Sequence, residues 1–492
     1  MGLSINKTTF SAEDYKIFDQ KIAEQLNILE ELVLQPGFGV GEPTIGAELE
    51  ISLTDKNALA AHDNNTLLIE HKDPRLQLEL NRFNLEFNLT PTPLAGNPFS
   101  IIENEMQSAI HGLAQTASHH DLKIVSTGIL PTLTKQDLTE ECISDLARYK
   151  ALNKSLKDLK KNPFQIEING PEPIKFSHDN VTLEGACTSL QIHLKVAPHD
   201  FVDMFNAAQL ATPFAVAISA NSPTFLGNHL WQETRVALFK QSVDPRSPNV
   251  KSSGHPPRVT FGEDWMQTPT QCFKETVNNY QSLIPAWTEE EAANQLKLSQ
   301  VPQMKELRLH HGTVWHWNRS VFDPHDGGHL RIEFRALPSG PTPIDMLANT
   351  AFLLGLTLSL FKQSKTLCHS LLFSQAENNF YRAAQDGLDA TVQWPNEEHN
   401  AIQNVKIKDC IQSFISLAKN GLLSVGVKAD EIEYYMNIIE KRLNNGQTGS
   451  KWQIEKLKSL SQHLNKKEAL AAMTLDYINK SSTNTPVHEW DM

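Results

Sequence analysis

The sequence has few cysteines, and none of them are spaced as a pair. Five cysteines are scattered over 492 residues without a Cys-x-x-Cys motif. This pattern argues against a disulfide framework and against a cysteine-based zinc site, and it predicts a protein of the reducing cytoplasm. Residues 1–20 also lack the basic segment and the following apolar segment of a signal peptide.

Long apolar runs are missing as well. The most apolar segment, residues 346–361, falls short of the ~20 residues that cross a bilayer and contains Asn349 and Thr357. It predicts a buried helix rather than a membrane span. A formal net charge of −13 and an isoelectric point near 5.8 argue against nucleic acid or an anionic membrane as the main partner.

Glycine loops of the known phosphate-binding kinds are absent. Neither a Walker loop nor a Gly-x-Gly-x-x-Gly fingerprint occurs in the chain. A bound nucleotide is not excluded by this absence, because local clusters of charge decide whether phosphates can bind.

Several segments alternate large apolar residues with Glu, His, Gln, Asn or Arg. Because side chains at i and i+2 of a strand point to the same face, each segment predicts a strand with one polar face. The segments are residues 46–50, 77–79, 84–88, 191–193 and 331–335. Side by side, such strands would form a surface suited to hard divalent cations and phosphates.

The region 76–89 changes phase in its middle. Apolar residues occupy even positions up to Leu80 and odd positions from Phe83 onward. A β-bulge at Asn81 and Arg82 would keep the apolar face continuous, and we favour it because bulges often re-aim side chains beside active sites. A tight hairpin is the alternative.

The predicted polar faces are rich in carboxylates. The ordinary explanation for any one of these carboxylates is the solvent-exposed face of a surface strand. However, Glu is depleted in strands, and like charges on one face repel unless a cation lies between them. A metal site is therefore predicted, and carboxylates with a single His suit Mg²⁺ or Mn²⁺. The i and i+2 spacing of about 6.5–7 Å would let Glu48 and Glu50 serve two different ions. The side chains concerned are Glu48, Glu50, Glu79, Glu86, His193 and Glu333.

Arginines accompany the carboxylates. Arg331 and Arg335 flank Glu333 on one strand face, where they could clamp a phosphate and neutralise developing charge, or form an ion-pair ladder along the strand. Arg319 and Arg235 could add to this cluster or form structural salt bridges. The candidate nucleotide- or substrate-binding residues are Gln191, Arg235, Asn84 and Arg319.

The predicted architecture belongs to the α+β class. Strands with one polar face favour an antiparallel sheet whose apolar side is covered by helices. We expect a catalytic domain over residues 1–375 and, packed on it, a helical C-terminal subdomain over 376–492. Helical periodicity is expected from 347 to about 480, followed by a frayed last dozen residues. Further helices are predicted over 11–34, 98–116, 148–161 and 202–220, and the Pro- and Ser-rich stretch 243–257 is expected to be a lid loop.

The ordered set of motifs resembles a known family. Gly46-Ala-Glu-Leu-Glu50, Asn84-x-Glu-x-Asn-x-Thr-Pro91, Gln191-x-His193, Asn221-Ser-Pro223 and Arg331-x-Glu-x-Arg335 occur in this order. Together they resemble bacterial glutamate–cysteine ligase family 2, of the carboxylate–amine ligase type, which is related in fold to glutamine synthetase and the guanidino kinases. The segment 379–388 also resembles a helix of that family, and the resemblance covers about residues 44–390.

The resemblance implies a curved antiparallel sheet, shaped as a funnel, that encloses nucleotide, metals and an amino acid. It implies metal ligation by the six residues above, phosphate contacts for Arg331 and Arg335 as catalytic residues, and a place for Arg235 near the nucleotide or a carboxylate substrate. Gln385 and Phe380 stand where the closest members carry basic residues. The amine acceptor therefore stays open.

Three functions are compatible with these residues. The first is an ATP-dependent carboxylate–amine ligase, forming a γ-glutamyl amide through an acyl phosphate with Mg²⁺ or Mn²⁺. In that case Glu333→Ala is expected to abolish activity with little loss of folding. The second is a guanidino-kinase-like phosphotransferase, and the third is a nucleotide-binding regulator that has lost catalysis. Small-molecule substrates are expected in the first two cases, and a homo-oligomer is possible in all three.

Overall fold

The computed structural model describes residues 5–160, 162–247, 250–251, 254–396, 398–399 and 401–492. The first predicted helix is present as Ala12–Leu32. Ser11 caps it, because its hydroxyl accepts a hydrogen bond from the Asp14 amide at 3.2 Å and the Asp14 carboxylate accepts one from the Ser11 amide at 2.8 Å. This reciprocal pair satisfies amides that have no partner within the helix.

Strands and helices are interspersed along the chain. The strands are β1 Thr44–Asp55, β2 Leu76–Leu78, β3 Asn84–Asn88, β4 Thr92–Pro93, β5 Leu122–Val125, β6 Phe164–Ile168, β7 Ile174–His178, β8 Leu190–Val196, β9 Thr224–Phe225, β10 Asn228–His229, β11 Val259–Thr260, β12 Trp315–His316, β13 Asn318–Asp323, β14 His329–Phe334, β15 Thr391–Pro395 and β16 Ile402–Lys406. The α-helices after the first are Asn64–His71, Pro98–Ser118, Ala147–Lys160, Thr182–Gly185, Phe201–Ser219, Thr234–Ser242, Gln271–Asn279, Ala292–Lys297, Lys305–His311, Pro343–Phe361, Ser364–Ser370, Phe373–Asp386, Ile407–Ser424, Ala429–Asn445, Gly449–Leu460 and Lys466–Ser481. Short 3₁₀ helices occupy Lys135–Leu138, Glu140–Cys142, Gly387–Asp389 and Val487–Glu489.

The principal sheet is antiparallel and collects all of the predicted polar strands. Its order is β13-β14-β8-β1-β3-β2, and β4 and β5 also pair with β1. The predicted mixture of helices with an antiparallel sheet is therefore confirmed. The alternation also holds, since residues between the polar ones, such as Leu49, Ile51 and Ile192, are fully buried on the opposite face.

The preferred bulge at Asn81 and Arg82 is wrong. β2 and β3 form a hairpin in which Gln77 pairs with Glu86, and residues 79–83 make the turn. Leu80 and Phe83 are both buried and hold this turn in place. The apolar residues on either side of the change of phase therefore anchor a reversal of the chain, not a bulge within one strand. Because paired residues of a hairpin share a face, the polar face continues across β3 into β2.

Two long apolar helices form the core behind the sheet. Pro343–Phe361 packs on Phe201–Ser219 and on Pro98–Ser118, and Phe201–Ser219 also contacts β13 and β14. Both Phe201–Ser219 and Pro343–Phe361 are long and apolar enough to cross a membrane, but 89% of each is buried inside the protein. The prediction of a buried helix over residues 346–361 is confirmed.

The C-terminal region departs from the prediction in two places. The β15–β16 hairpin interrupts the predicted run of helices. The last residues are not frayed: Val487 and Trp490 are buried, and Trp490 packs against Trp452 with ring centroids 5.1 Å apart. The Val487 amide donates to Asp345 Oδ2 at 2.9 Å, which ties this tail to the start of a core helix.

Candidate functional site

The polar face of the sheet forms the floor of a cavity of about 250 Å³. The register places Glu333 opposite both His193 and Arg319, and it places Glu50 opposite Glu86. Residues that the sequence predicted from separate segments therefore meet at one site. Those that line the cavity are Glu48, Glu50, Glu79, Glu86, Gln191, His193, Arg319, Arg331, Glu333 and Arg335.

Glu48, His193 and Glu333 have the spacing of metal ligands. One ligand atom from each lies within 4.8 Å of the others. His193 Nε2 is 3.2 Å from Glu48 Oε1 and 3.8 Å from Glu333 Oε1. Among the described residues, neither ring nitrogen of this buried histidine makes a well-angled hydrogen bond. Two carboxylates and one imidazole form a donor set that suits Mg²⁺ or Mn²⁺, so the three residues fit a divalent cation.

A second group of carboxylates lies beside this triad. Burial and the charge of Glu79 raise the pKa of Glu50 to about 7, against the opposing effect of Arg335. Burial and three neighbouring carboxylates, with Glu48 first, raise the pKa of Glu86 well above its usual range. The Glu86 carboxylate accepts one hydrogen bond, from the Asn88 side chain at 2.8 Å. Glu50, Glu79 and Glu86 repel one another in this arrangement, and a cation between them would remove that repulsion.

The two carboxylates of the triad are held in the ionised state. Burial would raise the pKa of Glu48, but the His193 ring beside it lowers that pKa to about 2. Burial likewise opposes ionisation of Glu333, yet Arg319 and Arg335 hold the pKa of its carboxyl well below its usual range. The Glu333 carboxylate accepts from Arg319 Nε at 2.5 Å and from Arg335 at 2.8 Å.

Two of the arginines retain a donor that has no acceptor among the described residues. Arg335 also donates to Gln191 Oε1 at 2.7 Å, and Arg331 pairs with Asp323 at 3.2 Å. The Nε–H groups of Arg331 and Arg335 are nevertheless buried without a hydrogen-bond partner in the described part of the chain. A buried donor without a partner is costly, so these atoms are suited to an anionic ligand.

Two predicted residues do not line the cavity. Arg235 is 2% exposed and donates to Glu233 Oε1 at 3.0 Å and to the main-chain carbonyls of Arg335 and Ala336. It therefore forms the structural salt bridge that the sequence left open, and it supports the end of β14 from below. Asn84 lies at the start of β3, where its side chain donates to Ser52 Oγ at 3.1 Å.

The cavity contains residues that the strand pattern missed. Arg148 and Tyr149 come from the helix Ala147–Lys160, Glu184 from the short helix Thr182–Gly185, and Arg308 from Lys305–His311. Burial and the charges of Glu79 and Glu50 raise the pKa of Glu184 to about 8. An apolar part of the wall is contributed by Phe273, Ile284, Leu309 and Trp315.

A family model matches the region of the chain that contains all of the cavity residues. The model of glutamate-cysteine ligase family 2 matches residues 44–472. The chain belongs to this family. No curated protein matches it in sequence.

The fold of this family member is similar to that of a solved ligase. Glutamate–cysteine ligase from Francisella tularensis, solved in complex with AMP, matches with a TM-score of 0.55 and 11% identity, and the alignment covers 93% of this chain and 97% of that one. A bifunctional glutathione synthetase from Pasteurella multocida matches with a TM-score of 0.48 and 10% identity over 94% of this chain and 55% of that one. At 11% identity, the similarity to the Francisella tularensis structure shows the fold alone.

One of the two predicted departures from the family pattern, Phe380, has a structural explanation. Phe380 lies in the helix Phe373–Asp386 and packs between Phe261, at 5.1 Å, and Trp317, at 5.3 Å between ring centroids. At Gln385 the main-chain carbonyl accepts from the Gln232 main-chain amide at 3.1 Å, a bond that does not depend on the side chain. Of the predicted lid 243–257, residues 248, 249, 252 and 253 lie outside the described residues, and the described ones do not line the cavity.

Proposed function

We propose that this protein is an ATP-dependent carboxylate–amine ligase that activates the γ-carboxylate of glutamate as an acyl phosphate and transfers it to an amine. The observation that carries the proposal is the joining of the Glu48–His193–Glu333 triad to phosphate-type arginines in one cavity. With cysteine as the amine, the product is the precursor of glutathione. We also infer that the sheet curves into a funnel of the glutamine synthetase kind and that the enzyme is cytoplasmic.

The carboxylates would hold the metal ions. Glu48, His193 and Glu333 would bind one divalent cation, and Glu50, Glu79 and Glu86 would bind a second. Mg²⁺ or Mn²⁺ bound there would neutralise charge on the nucleotide phosphates. The carboxylates suit this task, because Glu48 and Glu333 are held ionised, while Glu86 lies among carboxylates that raise its pKa and whose mutual repulsion a cation would remove.

The arginines would bind and orient the transferred phosphoryl group. Arg335 is fixed by Glu333 and Gln191, so its free Nε–H is presented in one orientation. Preorganised donors of this kind stabilise developing charge without reorganisation. Arg331 would donate to a second phosphate oxygen. The apolar wall at Phe273, Leu309 and Trp315 offers a surface for the base of the nucleotide.

Glu184 and Arg148 would recognise the amino-acid substrates. Arg148 has a buried Nε–H without a partner in the described residues, which suits a carboxylate. Glu184 makes no side-chain hydrogen bond in the described structure, although it lies in the cavity wall. The pKa of this carboxyl is raised to about 8, and the ammonium group of an amino acid bound beside it would lower that pKa and pair with the carboxylate that forms.

Phosphate release tests the proposed reaction. Purified protein is incubated with ATP, glutamate, Mg²⁺ or Mn²⁺ and a panel of amines with cysteine first, and both phosphate and products are identified. We expect ADP, phosphate and a γ-glutamyl amide in equal amounts. A stable phosphorylated substrate without free phosphate would instead identify a phosphotransferase. An ATP- and Mn²⁺-dependent rise in melting temperature without turnover of any amine would identify a silent regulator.

A further inference from the structure

The side-chain amide of Gln191 joins a carboxylate to a guanidinium group. Gln191 lies on β8 opposite Glu48 and is 3% exposed. Its Nε2 donates to Glu50 Oε1 at 2.8 Å, and its Oε1 accepts from Arg335 Nη1 at 2.7 Å. Both polar atoms of this buried amide therefore have a charged partner within the protein.

These two partners fix the orientation of the amide. An ionised carboxylate only accepts hydrogen bonds, and a guanidinium group only donates them. Turned over, the amide would place its N–H groups against Arg335 and its oxygen against Glu50, so both bonds would be lost. Glutamine thus supplies one donor and one acceptor at this position without adding a charge to the floor of the cavity.

The hydrogen bonds continue beyond Gln191 on both sides. Arg335 Nη1 donates to Gln191 and also to Glu333 Oε1, at 2.8 Å, so both hydrogens of this nitrogen are engaged. Glu50 is held from the other direction, because its Oε2 accepts from the Ser189 amide at 2.7 Å. Gln191 is therefore the uncharged link between Glu50 and the Arg335–Glu333 ion pair.

Arg335 depends on this link for its orientation. In the described part of the chain, its guanidinium group donates to two acceptors, Gln191 and Glu333, and both bonds start from Nη1. With Gln191 removed, the ion pair to Glu333 would hold the group through one bond, about which the guanidinium plane can turn. The Nε–H of Arg335, which has no partner among the described residues, would then no longer point in one direction.

We propose that Gln191 is a positioning residue, which holds the Arg335 guanidinium and the Glu50 carboxylate in place, and that it does not itself bind the substrate. The role rests on the proposed function, because that function gives Arg335 the transferred phosphoryl group to stabilise. It differs from the expectation from sequence that Gln191 contacts nucleotide or substrate, since the amide is already engaged on both sides. A guanidinium that is fixed beforehand stabilises developing charge without reorganisation.

The orientation of Arg335 is measured without reference to any reaction. In isotopically labelled, metal-free, full-length protein, the Nε–H resonance of Arg335 is assigned by its absence from Arg335→Lys. Gln191→Met keeps the length of the side chain and forms neither bond. We expect a sharp resonance in the wild-type protein and a broadened, rapidly exchanging one in Gln191→Met, because the guanidinium plane is no longer fixed. A resonance that is already broad in the wild type, or that the substitution leaves unchanged, would overturn the proposal.

Gln191→Glu separates the two bonds. It keeps an acceptor for Arg335 but places a second carboxylate beside Glu50. The Arg335 resonance is expected to stay sharp, while the melting temperature of the metal-free protein falls and its rise with Mn²⁺ grows, because a cation removes the added repulsion. This variant decides alone if Gln191→Met does not fold, and a lost resonance or an unchanged melting temperature would contradict the proposal. Gln165→Met, at an exposed position of β6, is the control and should change neither readout.

The kinetic consequence is measured separately. Gln191→Met is expected to lower kcat of the ligase reaction about 10- to 100-fold, as loss of a supporting partner does. The KM for ATP is expected to change less than about threefold, because the lost interaction acts on the transition state. A raised KM with unchanged kcat would show that Gln191 contacts the substrate and would overturn the positioning role. Absence of turnover in the wild-type protein would count against the proposed function alone, and the Arg335 resonance would still decide the role of Gln191.

Discussion

At the scale of single residues, Glu333 combines a proposed functional role with a structural one. Its side chain is 1% exposed and is bound by both Arg319 and Arg335. Removing it leaves the two guanidinium groups without their shared carboxylate partner, which costs about 3 kcal/mol in buried ion pairs. Glu333→Ala is thus expected to lose activity and also a similar amount of unfolding free energy in urea, contrary to the expectation from sequence of little loss of folding. An unchanged urea midpoint would show that the arginines find other partners.

Glu48 offers a cleaner test of the metal site, because its carboxylate makes no ion pair with an arginine in the described structure. Glu48→Gln keeps the shape of the side chain but removes its charge. We expect Mn²⁺ affinity, measured by calorimetry, to fall more than about 100-fold, the upper end of what loss of an outer-shell partner costs. Glu70→Gln is the matched control, since Glu70 pairs with His119 and His120 away from the cavity. Equal effects of the two variants would refute the assignment.

The raised pKa of Glu50 leads to a prediction about how pH changes the stabilisation of the protein by a metal ion. Its pKa is raised from 4.5 to about 7 in the folded protein, so between these values the folded state keeps a proton that the unfolded state has released. In metal-free protein this group therefore makes stability fall as pH rises through that window. A cation must displace the proton in order to bind. The rise in melting temperature caused by Mn²⁺ is expected to be several degrees larger at pH 8 than at pH 6, and EDTA should abolish it. An equal rise at both pH values would count against cation binding at Glu50.

At the scale of elements, the polar faces could be predicted because strand parity is a local property. The shared face of Glu48 and Glu50 follows from the two-residue period of one strand alone. The hairpin between β2 and β3 could not be distinguished from a bulge in the same way. A reversal of the chain and a bulge both move the apolar residues from even to odd positions. The packing of Leu80 and Phe83 in the turn decides between the two.

Glu184 and Arg148 mark the limit of that approach. Both lie on helices, where no alternation connects them to the sheet, and only the tertiary fold brings them to the cavity. A lone Glu seven residues before Gln191 carries no signal of its own. The β15–β16 hairpin was missed for a related reason, because its short alternation stands between long helical segments.

The C-terminal tail is an element whose contribution can be measured. Trp490 is buried against Trp452 and Tyr477, with ring centroids 5.1 and 5.4 Å away. Trp490→Ala is expected to lower the free energy of unfolding by about 3 kcal/mol, as large-to-small changes in a core do. Leu372→Ala, at a side chain that is largely exposed, is the control and should change it by less than about 0.5 kcal/mol. A negligible effect of the tryptophan change would show that the tail is dispensable.

At the scale of the whole molecule, the C-terminal helices pack on the two core helices that lie behind the sheet. Arg442 pairs with Asp345 at 2.6 Å, and both side chains are buried. Asn221, whose segment ends a core helix, donates to the Tyr477 hydroxyl at 2.8 Å and accepts from Gln453 at 2.9 Å. The backbones of Gly355 and Gly421 approach so closely that a methyl group on either would meet the other helix.

These contacts predict that the boundary proposed at residue 375 does not separate two independently folding units. Residues 1–375 alone would expose the faces of Pro343–Phe361 that pack on Ile407–Ser424 and Ala429–Asn445, and they would leave Asp345 buried without Arg442. We expect this fragment to be insoluble or unfolded, and the full chain to unfold in one calorimetric transition because the two parts share a core. A folded 1–375 fragment that binds Mn²⁺ like the full chain, or two separate transitions, would show instead that the helical region is an added module and that the cavity is stable without it.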